Sequence, residues 1–411
     1  MPKHHQFPTK LILCLTLTAA TVVSAIHARA QATVMYSFGA YPSDGETPYT
    51  PNLVADSAGD LYGTTEEGGS NCGGVCGTVF ELSPSGSGAW TEQVIHSFDG
   101  TTGTEGQTSL AVDGYGNLYG IATYGGTYSY GVVFEMTPSS GGVWTYNVLH
   151  NFKYVEGSYP VGGLIFGASG ELYGVTSEGG EYGYGTVFQL RKNSSGSWIE
   201  KVLHSFNKTD GWNPTKALVM NDVGNLYGTT YNGGAHSAGT VFELARGTGD
   251  TWHEQVIHSF FPRPSTDGAN PDGGVIIFSG TLFGTTYNGG AYGYGAVFQL
   301  VKESTGWRET IIHSFNTDGI DGATPRANLT AVGSNLYGTT SAGGTNYDGT
   351  VFQLTSATGG GWTESILYSF NDTSGGAAFP SGGLFYNTDG NLYGTAQGGA
   401  YGVGSVYQIA P

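Results

Sequence analysis

The 411-residue chain carries 32 acidic against 14 basic residues, a formal net charge of −18. That balance argues against a nucleic-acid partner or an anionic membrane surface, since both are met by positive charge that displaces counterions. Charged residues make up only 11%, while glycine (71) and tyrosine (27) are abundant, the profile of a sheet-rich extracellular chain with many turns and enough length to bury a large core.

At the N-terminus, Lys3 and Lys10 flank the start of an apolar run, LILCLTLTAATVVSA (11–25), and ARA (28–30) follows it. Residues 1–30 therefore read as a secretory leader cleaved after Ala30. The run is too short to span a bilayer stably, and Cys14 lacks the small-residue setting of a lipoprotein cysteine. No later stretch is apolar over 18 residues. The expected product is a single domain, 31–411, exported to the periplasm or medium, without anchor or membrane insertion, and monomeric. Lys3, Lys10 and Arg29 leave with the leader and no acid does, so the exported chain is more acidic still. Its two cysteines, Cys72 and Cys76 in NCGGVC, are expected to close a small disulfide loop in an oxidising compartment. A metal site would need further ligands nearby, and redox function usually uses C-x-x-C.

Downstream, one brick recurs. Leu-Tyr-Gly begins at Leu61, Leu118, Leu172, Leu226, Leu336 and Leu392, with Leu-Phe-Gly at Leu282. A GTVFEL-like segment begins at Gly77, Gly131, Gly185, Gly239, Gly295, Gly349 and Gly404. A WTEQVIHSF-like segment ends at Phe98, Phe152, Phe206, Phe260, Phe315 and Phe370, and a short apolar run such as GGLIF (162–166) precedes each Leu-Tyr-Gly. All four are short, rich in β-branched and aromatic residues and bounded by turn formers, so each reads as a strand. In blade order they are A (GGLIF-like), B (NLYGTT-like), C (GTVFEL-like) and D (WTEQVIHSF-like). Four strands in a repeat of about 54 residues make a propeller blade. The last repeat stops after its strand C, GSVYQI (404–409), whereas ATVMYSF (32–38) is a strand D with nothing before it. The expected fold is all-β, a seven-bladed β-propeller of four antiparallel strands per blade, its ring closed by the N-terminal strand.

That geometry weighs the candidate residues. His96, His150, His204, His258 and His313 share one strand-D position, taken by Tyr36 and Tyr368 in the other copies. Strand D lies three spacings of ~4.8 Å beyond strand A, so these histidines cannot converge on one metal and are read as packing residues. Six tryptophans repeat eight residues before the strand-D Phe and are architectural; Trp212, in TDGWNP, stands off that position and is a binding candidate. The D–A loops repeat an acid-Gly-x-x-Pro signal, from Asp44, Glu156, Asp210, Asp267 and Asp321, while the copies at Glu105 and before Pro380 depart from it. The B–C hairpins carry Tyr128, Tyr130, Tyr182, Tyr184, Tyr292, Tyr294, Tyr347 and Tyr401. Both sets of connections lie at the same end of the blades. The loop acids serve their own turns in one reading. In the other, the tyrosines and Trp212 stack on a sugar or peptide while Asp210, Asp267 and Asp321 accept its hydrogen bonds. Paired turns such as Asp318 and Asp321 offer oxygens to calcium, but no D-x-D-x-D-G run accompanies them, so no metal or other cofactor is expected.

No carboxylate pair, G-x-S-x-G elbow, H-E-x-x-H or Asp box marks a catalytic centre. The P-loop-like spacing of Gly234 and Gly239 in GGAHSAGTVF lacks its lysine and recurs in other copies, as a hairpin would. With GNLYGTTYNGGAHSAGTVFELARGTGDTWHEQVIHSF as the brick, the chain resembles the GloVer tandem-repeat proteins, exported bacterial proteins, over 31–411; the GNLYG turn is more loosely similar to those of NHL-type propellers. The resemblance implies a propeller-type repeat with no established activity and no catalytic residue. The expected function is binding of an extracellular glycan or protein through the tyrosine-rich face. The alternatives are a polysaccharide hydrolase or lyase with its site near the axis, and a structural role in the cell envelope.

Overall fold

A computed structural model of the chain describes residues 30–39, 43–48, 52–86, 89–357, 359–372 and 375–411; all of the expected leader but Ala30 lies outside them. The β-branched and aromatic segments form strands that pair as seven antiparallel sheets, each four strands wide, arranged in a ring, a seven-bladed β-propeller. Blade 3 shows the plan, with A at Ser158–Phe166, B at Leu172–Glu178, C at Thr186–Lys192 and D at Trp198–Ser205. In blade 4 strand A is two pieces, Trp212–Pro214 and Val219–Met220, both paired to Leu226–Asn232. Blade 7 is assembled from both ends of the chain: Phe385–Tyr386, Leu392–Ala396 and Ser405–Ile409 are completed by Ala32–Ser37, which pairs antiparallel with Ser405–Ile409.

Register explains the motifs. Strand B meets strand C with Leu172 opposite Leu190 and Gly174 opposite Phe188. The Phe ring lies across the glycine: a Cβ built on Gly174 would stand 2.6 Å from Phe188 Cζ. Between C and D every blade has a bulge, as where Val187 faces His204 but Phe188 faces Val202, which adds to the twist a propeller blade needs. The GTVF glycine answers a different demand. Gly239 has φ +96°, and a Cβ there would meet Pro271 Cδ of the next blade at 2.5 Å. The spacing of Gly234 and Gly239 thus belongs to a hairpin that seats a neighbour's proline, and strand Thr240–Arg246 follows it, not a helix.

The core lies between blades. Each strand-D Phe packs edge-on against the strand-C aromatic of the next blade: Phe98 on Phe134, Phe152 on Phe188, Phe206 on Phe242, Phe260 on Phe298 and Phe315 on Phe352. The set continues through the joint, with Phe370 on Tyr407 and Phe38 on Phe80. The repeat tryptophans bridge the same junctions, as Trp198 does against Tyr119 and Trp90 against Tyr393. Such edge-to-face pairs add about 0.5–1.5 kcal/mol each beyond the area they bury.

Candidate functional site

The strands A surround the axis, and the residues just after each D–A loop line it. A cavity of about 240 Å³ is walled by all seven blades, with Asn52, Gln107, Ser109, Thr215, Lys216, Asp272 and Asn328 among its polar groups. This is less than the roughly 300–1,000 Å³ of an ordinary ligand pocket, so it suits one residue or substituent of a larger ligand. Larger clefts at the opposite end of the blades, such as that holding Trp90 and Tyr393, repeat between neighbouring blades as a product of their packing.

A ring of backbone surrounds the mouth of the cavity. The residues Thr47, Glu105, Tyr159, Asn213, Asn270, Thr324 and Phe379, one per blade, have φ between 54° and 60°. None is glycine, although a left-handed conformation costs an ordinary residue about 1–2 kcal/mol. The strain is held by hydrogen bonds: each N–H donates to a carbonyl of the preceding blade's B–C hairpin, as Tyr159 does to Tyr130 (3.0 Å), Asn213 to Tyr184 (3.1 Å) and Thr324 to Tyr294 (2.8 Å). The two departures from the acid-Gly-x-x-Pro signal keep this frame, since Glu105 and Phe379 occupy the same backbone position as the others. Strained non-glycine backbone gathers at functional sites, and here it fixes seven side chains of five chemical types about one axis.

Aromatic residues fill the ring's outer edge. Tyr124 packs on Tyr159 (5.1 Å), Tyr130 on Tyr154 (5.8 Å), and Tyr184 edge-on to Trp212 (5.6 Å). Arg326 lies over Tyr287 (4.6 Å) and reaches Asp272 (3.5 Å). Further out on the same face Tyr128, Tyr182, Tyr292, Tyr294, Tyr347 and Tyr401 are exposed. Charge is segregated across the mouth. On blades 1 and 2 the Gln107 amide nitrogen donates to Glu66 (2.8 Å) and to Glu105 (3.0 Å). Burial, then repulsion from Glu105 and Glu67, raises the Glu66 pKa; burial and Glu67 raise that of Glu105. On the other side, burial lowers the Lys216 pKa, opposed by Asp272 and assisted by Arg326.

The loop aspartates point elsewhere. Asp210, Asp267 and Asp321 turn inward to His204, His258 and His313, each at 3.2 Å, and accept backbone N–H groups of their own turns. A glutamate from strand D of the next blade completes each group: Glu254, Glu309 and Glu364, with the donor atoms within 4.8 Å of one another. One imidazole and two carboxylates could hold a divalent cation. The junction of blades 7 and 1 instead has Tyr36, whose hydroxyl donates to Asp44 (2.9 Å); the position asks for a hydrogen-bond donor to the loop acid. The histidine rings also pack edge-on against their strand-D Phe, at 4.8 Å for His204 and Phe206. Cys72 and Cys76 are disulfide-bonded in the first hairpin.

The structure thus gathers Trp212 and the hairpin tyrosines on one face and directs the three aspartates into the blade junctions. Sequence reading missed the inner residues Glu66, Glu105, Tyr124, Tyr159, Lys216 and Tyr287. The available signal was variation: these positions flank the prolines or end strand B, where the seven otherwise similar copies differ in chemical type, as Glu66, Ser177, Tyr231, Tyr287, Ser341 and Gln397 do at the end of strand B.

The Gloeobacter/Verrucomicrobia repeat matches this chain over residues 18–165, 141–333 and 248–411. No curated protein matches the sequence. Among solved structures it is similar to an ancestral GH74 enzyme, at 12% identity and TM-score 0.58, over 92% of this chain and 51% of that one. It is also similar to the extracellular domain of a one-component system from B. thetaiotaomicron, at 10% identity and TM-score 0.54, over 92% of this chain and 39% of that one. The chain spans about half the length of the first and less of the second; likeness at these identities is one of fold.

Proposed function

The chain belongs to the Gloeobacter/Verrucomicrobia repeat family, and we propose that it is an exported binding module that takes a glycan at the axial mouth of its tyrosine-rich face. The observation that carries this reading is the seven-membered ring of strained, non-glycine residues around a polar cavity, edged by aromatic rings. Flat rings suit the apolar faces of sugars, and the amide and hydroxyl lining suits their hydroxyls. The reading requires no cofactor. It is tested on a glycan array with wild type, Trp212→Ala and Tyr124→Ala. Binding that falls at least tenfold in both variants supports it; binding unchanged in both removes the axial mouth from the account.

One observation favours a second reading, hydrolysis. Glu66 and Glu105 face each other across a single amide nitrogen, which places their near oxygens on the order of 5 Å apart, as in retaining glycosidases. Their raised pKa values suit one as acid. Turnover of any plant or bacterial polysaccharide that is lost in both Glu66→Gln and Glu105→Gln would establish the enzyme; absence of turnover beside retained binding leaves the module.

A further inference from the structure

We propose that the axial cavity is a site for the carboxylate of an acidic saccharide, with Lys216 as its counter-ion. The inference rests on the axial reading above and deepens it by naming the ligand's charge.

Lys216 is placed by its neighbours' lack of side chains. A Cβ on Gly162 of blade 3 would stand 2.3 Å from the Lys216 carbonyl carbon, and one on Gly274 of blade 5 would be 3.1 Å from Lys216 Cβ. The two glycines let the blade-4 chain advance to the axis, where Lys216 is half-buried in the wall of the cavity. Among the described residues its ammonium has no hydrogen bond and no carboxylate within ion-pair distance; the nearby acid, Asp272, pairs with Arg326. A half-buried cation without a partner leaves its charge free for a ligand in the cavity, and this chain has only 14 basic residues in all.

The rest of the wall can complete an anion's shell. Asn328 uses its amide oxygen to accept the Gly274 N–H (2.7 Å), which leaves its nitrogen as donor. The Thr215 hydroxyl oxygen is buried without a partner. Ammonium, amide and hydroxyl donors around a space of about 240 Å³ suit a carboxylate with its attached ring, and charge-assisted bonds of this kind are about twice as strong as neutral ones. The tyrosines and Trp212 at the mouth would hold the flanking sugars, which favours a saccharide over a peptide terminus.

The test compares trigalacturonate with its neutral methyl ester by calorimetry, in wild type and in Lys216→Met, whose stem keeps the packing while removing the charge. The expected result is a preference of at least tenfold for the acid in wild type that falls to near unity in the variant. Equal binding of acid and ester by wild type overturns the inference and leaves glycan binding intact. If no saccharide binds, the proposed function fails, and thermal melting at constant ionic strength then decides the anion site. Sulfate stabilising wild type over chloride but not Lys216→Met retains that site; no difference overturns it. Capture of a carboxy-terminal tripeptide in preference to trigalacturonate overturns the saccharide assignment. Should Lys216→Met fail to fold, Lys216→Gln and the wild-type acid-to-ester ratio still decide the outcome.

Discussion

At the Leu-Tyr-Gly glycines the backbone keeps an ordinary strand conformation, so the missing side chain is a matter of space. At Gly338 an added Cβ would lie 2.5 Å from Phe352 Cζ and 2.9 Å from Leu329 Cδ2, both side chains in the closed core between blades. Rings in a packed core move little, and overfilling by one methyl costs about 1–3 kcal/mol. Gly338→Ala should therefore lower the unfolding free energy by that amount in urea. Gly361 is the control: nothing lies within 4 Å of its added Cβ, and its φ is outside the left-handed region. Gly361→Ala should be neutral or stabilise by up to about 1 kcal/mol, through the unfolded chain's lost freedom. Equal losses in the two variants would mean that glycine acts here through backbone conformation and not through the room it leaves for Phe352.

Between elements, the recurring unit is a junction made by strand D of one blade, its outgoing loop and strand D of the next. Burial pushes the pKa of Glu254, Glu309 and Glu364 up to about 7, with repulsion from the loop aspartate adding to it and the histidine opposing it. Burial likewise pushes Glu92 and Glu200 up to about 8, with Asp44 and Glu156 adding. A carboxyl whose folded pKa is raised binds its proton more tightly in the native state. Its contribution is present below the unfolded value near 4.5 and is lost as pH rises through 7 to 8. His96, stacked on Tyr146 at 3.9 Å, is held down to about 4 by burial. Its contribution runs the other way, present above 6.5 and lost as pH falls toward 4. With five glutamates against one histidine, the melting temperature should therefore peak near pH 5 and fall from there to about pH 8. Glu254→Gln should flatten the alkaline limb, and EDTA should leave the curve unchanged if these junctions are hydrogen-bonded staples. An alkaline limb equally steep in Glu254→Gln and Glu309→Gln would remove the glutamates as its cause. In the sequence the histidines and loop acids stand out as repeats. Their glutamate partners recur as well, two residues after the strand-D tryptophan at Glu92, Glu200, Glu254, Glu309 and Glu364, but the pairing is not legible, because each contact joins one repeat to the next, as His204 to Glu254, and a repeat read singly never contains it.

For the whole molecule, the fold was legible because each blade states its four strands in order and the chain ends are complementary. The axial site was not. Each blade gives the axis only one to four residues, and Tyr159, Lys216 and Arg326 stand in different repeats with no local motif; only closure of the ring brings them together. That closure is testable by position. Phe38 and Phe315 are both fully buried, and each packs on the strand-C aromatic of the following blade at 5.2 Å. Phe315 lies mid-chain, whereas Phe38 lies on the N-terminal strand, and its junction exists only if Ala32–Ser37 completes blade 7. Truncating a buried Phe costs about 3–5 kcal/mol. In the closed ring Phe38→Ala and Phe315→Ala should then destabilise alike, to within about 1 kcal/mol, and deletion of residues 31–38 should cost more than either by exposing an unpaired edge at Ser405–Ile409. In an open array the N-terminal strand would fray as a free end. Phe38→Ala would then be nearly silent beside a costly Phe315→Ala, and that asymmetry would refute the closed propeller.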